Sequence, residues 1–268
     1  MSFVIEVDGV SKLYGSGKSQ VRALVDATLN IATGEFISLI GPSGCGKSTL
    51  LRLLADLAQP THGSIRINGK SPRQARLDRE FGMVFQSPVL YEWRTVLRNV
   101  LLPLEIMGVP SAEAKEKARA MLRLVGLGGF ENHHPWQLSG GMQQRVAIAR
   151  ALVFHPPILM MDEPFGALDE LTRERLNNEL LNLWQRQENS TVVFVTHSIQ
   201  EAVFLSSRVV VMSPRPGKIE TIVDIDLPRP RTAEMRDLPR FFELVKEVRH
   251  SLREDEPHPV AASGEAGA

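Results

Sequence analysis

The sequence predicts an α/β fold with a helical subdomain inserted into it, and three observations carry that prediction. Short apolar runs of strand length, at 36–40, 158–161 and 191–195, each end in glycine or polar residues. A glycine-rich loop joins the first run to a leucine-rich helical pattern at Leu50, Leu51, Leu53, Leu54 and Leu57. Residues 95–126 show helical spacing throughout, broken near Gly108 and Pro110.

Taken in order, residues 3–7 alternate and read as a strand, 12–20 as a glycine- and serine-rich loop, and 22–31 as a second strand. Residues 63–69 read as a hairpin strand ending in an Asn68-Gly69 turn. A buried strand at 81–85 ends at Gln86. Ser111 and Glu113 open the second helix of the insert, whose bounds are set at about 87–155. An amphipathic helix at 140–154 is stopped by Pro156 and Pro157, and helices follow at 171–187 and 199–205. A strand at 209–212 turns back at Gly217, and a last helix spans 234–253. Residues 254–268 are Pro-, Gly-, Ala- and Glu-rich and read as a disordered tail. The resulting division is a main domain at 3–228, a helical extension at 229–253 and that tail.

The 268 residues are 43% hydrophobic, ample for a core, and 23% charged. Lys+Arg and Asp+Glu both number 31, so no net charge argues for nucleic acid as a partner. One cysteine, Cys45, excludes an intramolecular disulfide. No signal peptide is visible, and no apolar run nears the roughly 18–20 residues of a membrane helix.

The segment Gly41-Pro42-Ser43-Gly44-Cys45-Gly46-Lys47-Ser48-Thr49 matches the full phosphate-loop pattern between a strand and a helix. Its glycines let successive N–H groups point at phosphate oxygens, and the helix N-terminus adds partial positive charge. Lys47 reaches the β- and γ-phosphates of ATP, and the Ser48 hydroxyl ligates Mg2+. Cys45 reads as a small apolar filler in that loop, where a thiol reagent would block ATP and ATP would protect. An upstream Gly17-Lys18-Ser19 carries Lys12 where the pattern needs glycine, and reads as a flexible loop.

Asp162 ends an apolar strand, where a carboxylate can hold Mg2+ through water. Glu163 follows and can orient an attacking water. The same pair ahead of Pro164 also reads as a helix N-cap. Alone, Tyr14, Gln86 and His197 read as ordinary loop and strand-end residues.

With Leu138-Ser139-Gly140-Gly141-Met142-Gln143 added, the order of these motifs resembles the nucleotide-binding subunit of an ATP-binding cassette (ABC) transporter, over roughly residues 3–225. The resemblance implies a P-loop NTPase cassette with a RecA-like core, an antiparallel β-subdomain and an α-helical subdomain. It assigns Tyr14 to stacking on adenine and Gln86 to Mg2+ and the attacking water. Glu163 is then the catalytic carboxylate, His197 the γ-phosphate contact and Asp169, after Ala167 and Leu168, a bridge between two sites. Ser139, Gly140 and Gly141 would contact ATP held by a second copy in a head-to-tail dimer.

One set of motifs, no membrane span, and a gap of about 90 residues between phosphate loop and signature turn without heptads favour a separate importer subunit. Residues 86–100, with Tyr91 and Trp93, would then dock integral membrane permease subunits. A periplasmic or extracellular solute-binding protein would act indirectly, and the chain would sit at the cytoplasmic face of the inner membrane. Segments 93–100, 212–218 and 227–231 resemble the nitrate, sulfonate and taurine importer group. A non-transport ATPase acting on a protein or nucleic-acid partner shares the same motifs and stays open.

Overall fold

The computed structural model describes residues 3–166, 168–186 and 190–253. The strands among them are β1 (Phe3–Tyr14), β2 (Val21–Ala32), β3 (Phe36–Ile40), β4 (His62–Ile67), β5 (Phe81–Val84), β6 (Ile158–Asp162), β7 (Thr191–Val195), β8 (Arg208–Met212) and β9 (Ile219–Asp224). The helices are α1 (Lys47–Leu54), α2 (Pro72–Leu77), α3 (Val96–Ile106), α4 (Ser111–Leu124), α5 (Gly140–Leu152), α6 (Glu170–Arg186), α7 (Ile199–Leu205) and α8 (Pro239–Arg253).

Six strands form one sheet in the order β5-β6-β7-β3-β8-β9, parallel except for β9 at the edge. Every residue of β3, β6 and β7 is buried. Helices cover both faces of such a sheet, so its strands read as continuous apolar runs. Alternate residues serve opposite faces. Phe36, Met161 and Phe194 join the core under α3–α8, while Ile37, Met160 and Val193 join the one under α1 and the smaller sheet. Parallel pairing places Leu39, Val195 and Asp162 side by side, so β3, β6 and β7 all end at one edge. Open α/β sheets bind ligands beyond such strand ends.

The second sheet is antiparallel, in the order β2-β1-β4. Two expectations change here. β1 continues to Tyr14, paired with Val21, where residues 12–14 read as loop. β4 pairs with β1 instead of forming a hairpin. After the Asn68-Gly69 turn only the Ile67–Lys70 bridge forms, and α2 follows, capped by Ser71. Leu57 lies past the end of α1 and is exposed.

In α3–α5, Leu97, Val100 and Leu104 pack with Ala118, Leu122, Val146 and Ala149. Buried Asn99 donates to the Tyr91, Arg94 and Thr95 carbonyls and accepts from Tyr91 N–H. This holds the loop before α3 rigid with its aromatic side chains outside. The C-terminal helix differs from expectation: a 3-10 turn over Ala233–Asp237 breaks at Leu238, and α8 begins at Pro239, whose ring ends the preceding turn. Phe241, Leu244, Val245 and Val248 of α8 are buried in the core. Arg231 donates to the Val203 and Phe204 carbonyls at the C-terminus of α7, where a cation suits the helix dipole. The tail at 254–268 and Ala167 lie outside the described residues.

Candidate functional site

The loop from Gly41 to Gly46 is shaped by what cannot fit there. Gly46, the N-cap of α1, has φ +106°, and a Cβ on it would lie 2.7 Å from Leu24 Cδ2 and 2.8 Å from the Ala23 carbonyl. A Cβ on Gly41 would lie 2.7 Å from both Cys45 Sγ and the Met212 carbonyl. The chain can therefore turn sharply off β3 and present amides at the start of α1. Lys47 folds over this loop and donates to the Gly41 and Pro42 carbonyls at 2.8 and 3.0 Å. Cys45 is fully buried, its sulfur 3.7 Å from Lys47 Nζ. It fits the filler reading, and burial shields the thiol from the reagent sensitivity expected of an open loop.

Ser48 Oγ donates to Asp162 Oδ1 at 2.8 Å. Burial pushes the Asp162 carboxyl up, the Ser48 hydrogen bond pulls it back, and the neighbouring Glu163 charge pushes it further up. A hydroxyl and a carboxylate oxygen at the foot of a phosphate loop are hard donors suited to Mg2+. Among the described residues no cluster of three or more His, Cys, Asp or Glu could hold a metal alone.

Glu163 adopts φ +46°, an uncommon conformation for a residue with a Cβ. Its N–H donates to the Val195 carbonyl and its own carbonyl accepts from Gly166 N–H, so both neighbours hold the turn. Strain of about 1–3 kcal/mol is typical of such positions. It excludes the plain helix-cap reading: α6 starts only at Glu170, where Asp169 Oδ1 accepts from Thr172 N–H. Gln86 Nε2 lies 3.3 Å and His197 Nδ1 3.6 Å from Glu163 Oε2. One carboxylate oxygen, carried just after β6, thus meets residues that follow β5 and β7.

A cleft of about 400 Å3 is lined by Tyr14, Ala23, Ser43, Gly44, Gly46, Lys47, Ser48, Thr49, Gln86, Glu163 and Arg215. It gathers half of the residues singled out in the sequence, while Asp162 and His197 adjoin it only through Ser48 and Glu163. Ser139, Gly140, Gly141 and Asp169 are not among its lining. Ser139 caps α5 by accepting from Met142 N–H, and Ser139 and Gly140 are exposed. A Cβ on Gly141 would lie 2.9 Å from Leu168 Cδ2, so the loop before Asp169 rests against the signature turn of the same chain. Sequence reasoning missed Ala23 and Arg215. The segment at 212–218 carried only a lineage signal, although Gly217 marks a close backbone approach.

A family model described as ABC transporter matches residues 24–166. An uncharacterised ABC transporter ATP-binding protein of Methanocaldococcus jannaschii is 48% identical, covering 95% of this chain and 93% of that one. The nitrate import ATP-binding protein NrtD of Synechocystis sp. is 42% identical over 96% of this chain and 98% of its own length. The taurine import ATP-binding protein TauB of Rhizobium johnstonii is 43% identical over 97% and 100%. Among solved structures, the dimeric post-hydrolysis state of an ATP-binding cassette bound to ADP and Pi superposes with a TM-score of 0.77, at 37% identity, over 84% of this chain and 100% of that one. Its sheet order, its phosphate loop and these likenesses place the chain in the ABC transporter family.

Proposed function

We propose that this chain is the ATP-hydrolysing subunit of an importer, working as a head-to-tail dimer beneath separate membrane subunits. The carrying observation is an uneven distribution. Lys47, Ser48, Asp162, Gln86, Glu163 and His197 meet at one sheet edge, while Ser139 and Gly140 stand exposed away from that cleft. A phosphate loop covers its ligand from one side only. A second copy's helix N-terminus, with a serine hydroxyl and unobstructed amides, completes the shell on the other. The dimeric cassette neighbour supports this arrangement.

In this reading Tyr14 stacks on adenine, and the loop amides from Gly41 to Thr49 with Lys47 hold the phosphates. Glu163, steadied by Gln86 and His197, orients the attacking water, and Asp169 meets the partner's site. Ser48, Gln86 and Asp162 would hold Mg2+, which supplies charge neutralisation on the phosphates when bound. Closure of the two copies excludes water, and product release reopens them.

An apolar groove of about 400 Å3, lined among others by Phe85, Val89, Tyr91, Leu102, Ile106 and Arg150, suits a membrane-subunit helix. Arg150 bonds the Pro88 and Val89 carbonyls at its wall, and Trp93 stands 73% exposed against Tyr91. The chain then acts peripherally at the cytoplasmic face, and its relatives point to a nitrate-, sulfonate- or taurine-type solute supplied by a separate binding protein. The test is co-expression with a permease. Recovery in the membrane fraction only when the permease is present, lost in Trp93→Ala, supports the reading. ATPase stimulation by DNA or ribosomes overturns it.

A further inference from the structure

Arg215 lies in the loop at 213–218 that joins β8 to β9. Ser213 N–H donates to the Lys218 carbonyl and Lys218 N–H to Ser213 Oγ, both at 3.0 Å, closing the loop at its base. Its other side is keyed to the phosphate loop. Gly217 N–H donates to the Ala23 carbonyl at 3.1 Å, and Val25 N–H to the Gly217 carbonyl at 2.9 Å. A Cβ on Gly217 would lie 1.7 Å from the Cys45 carbonyl oxygen, so the two loops are in backbone contact. Arg215 therefore has a position fixed relative to the phosphate loop.

Its side chain is exposed and lines the cleft of Tyr14, Gly44 and Lys47. Among the described residues no hydrogen bond or ion pair engages it. Lys47, the other cation there, is turned onto the loop's own carbonyls. Arg215 follows β8, on one side of β3, whereas Gln86 and Glu163 follow β5 and β6, on the other. Along β2, Val21 pairs with Tyr14 while Ala23 and Val25 bond Gly217. Two to four residues of strand is roughly 7–13 Å, so Arg215 shares the Tyr14 side of the cleft.

We infer that Arg215 is a nucleotide-binding residue that grips the α- and β-phosphates from the Tyr14 side. This rests on the ATP-binding reading above. A guanidinium presents paired donors matching two phosphate oxygens, and an unpaired one lining the cleft of a phosphate loop breaks no existing bond to do so. Because its contact stops short of the γ-phosphate, ATP and ADP feel it equally.

The experiment is calorimetric titration of the full chain with ATP and with ADP. Arg215→Ala is expected to weaken both by about tenfold, and Arg215→Lys by no more than about threefold. The side chain is exposed, so the nucleotide-free melting temperature of Arg215→Ala stays at the wild-type value; Arg215→Gln repeats the titration if it does not. Binding of both nucleotides within twofold of wild type overturns the inference, as does a loss confined to ATP. A wild-type chain that binds neither nucleotide, or a Lys47→Ala chain that binds both as tightly as wild type, brings down the ATP-site reading itself.

Discussion

Ser48 Oγ lies 2.8 Å from Asp162 Oδ1, joining the first turn of α1 to the end of β6 across 114 positions of chain. This bond brings the phosphate loop and the carboxylate strand into one site. Asp162→Asn keeps the size and an acceptor for Ser48 but removes the charge. Steady-state hydrolysis should fall about 10- to 100-fold, and the Mg2+ concentration for half-maximal rate should rise. An unchanged Mg2+ titration would contradict the role given to Asp162.

Gly217→Ala tests the contact between the two loops. A methyl group 1.7 Å from the Cys45 carbonyl cannot be accommodated without moving backbone. Overpacking of this kind costs about 1–3 kcal/mol. The variant should melt earlier and bind ATP more weakly, because the displaced segment is the phosphate loop itself. A variant with wild-type melting and wild-type ATP affinity would mean the loops are independent.

Glu201 offers a pH-dependent test. It is buried, bonded to Thr196 Oγ1, and its N–H donates to Ser198 Oγ, so its partners flank His197 on both sides. Burial raises its carboxyl above the ordinary range; the hydrogen bonds from Thr196 and Asn177 and the charges of Arg173 and His197 oppose that. Between the unfolded value and the higher folded one, the native state therefore keeps a proton that the unfolded chain releases. Stability from this group is complete below the unfolded value, about 4.3 for glutamate, and declines as pH rises through the higher folded value. Urea unfolding from pH 4 to 7 should show wild type losing stability relative to Glu201→Gln as pH rises. A constant difference between the two would refute this.

The sequence disclosed the parts of the fold whose causes are local. β3, β6 and β7 are buried on both faces, so their apolar runs and the polar residues ending them stand out without any knowledge of neighbours. The lower half of β1 did not stand out, because Lys12 and Leu13 are strand only through pairing with Leu24 and Arg22 of β2. β4 likewise takes its partner from far upstream, and α2 is only six residues long. In the site, contiguous motifs were legible, while Arg215 was not. Its relevance comes from Gly217 lying against Cys45, a contact between segments about 170 residues apart. Asn99 was not singled out in the sequence, and only the fold reveals it as the anchor of the Tyr91 loop.

The central claim is that Glu163, in its strained turn between Gln86 and His197, drives turnover at a site shared between two copies. The direct measurement is ATP hydrolysis together with sedimentation of Glu163→Gln in ATP and Mg2+. Expected are ATP binding retained, turnover abolished and a stable ATP-bound dimer, because the amide keeps the size of the side chain without its charge. Hydrolysis at the wild-type rate in that variant would contradict the claim.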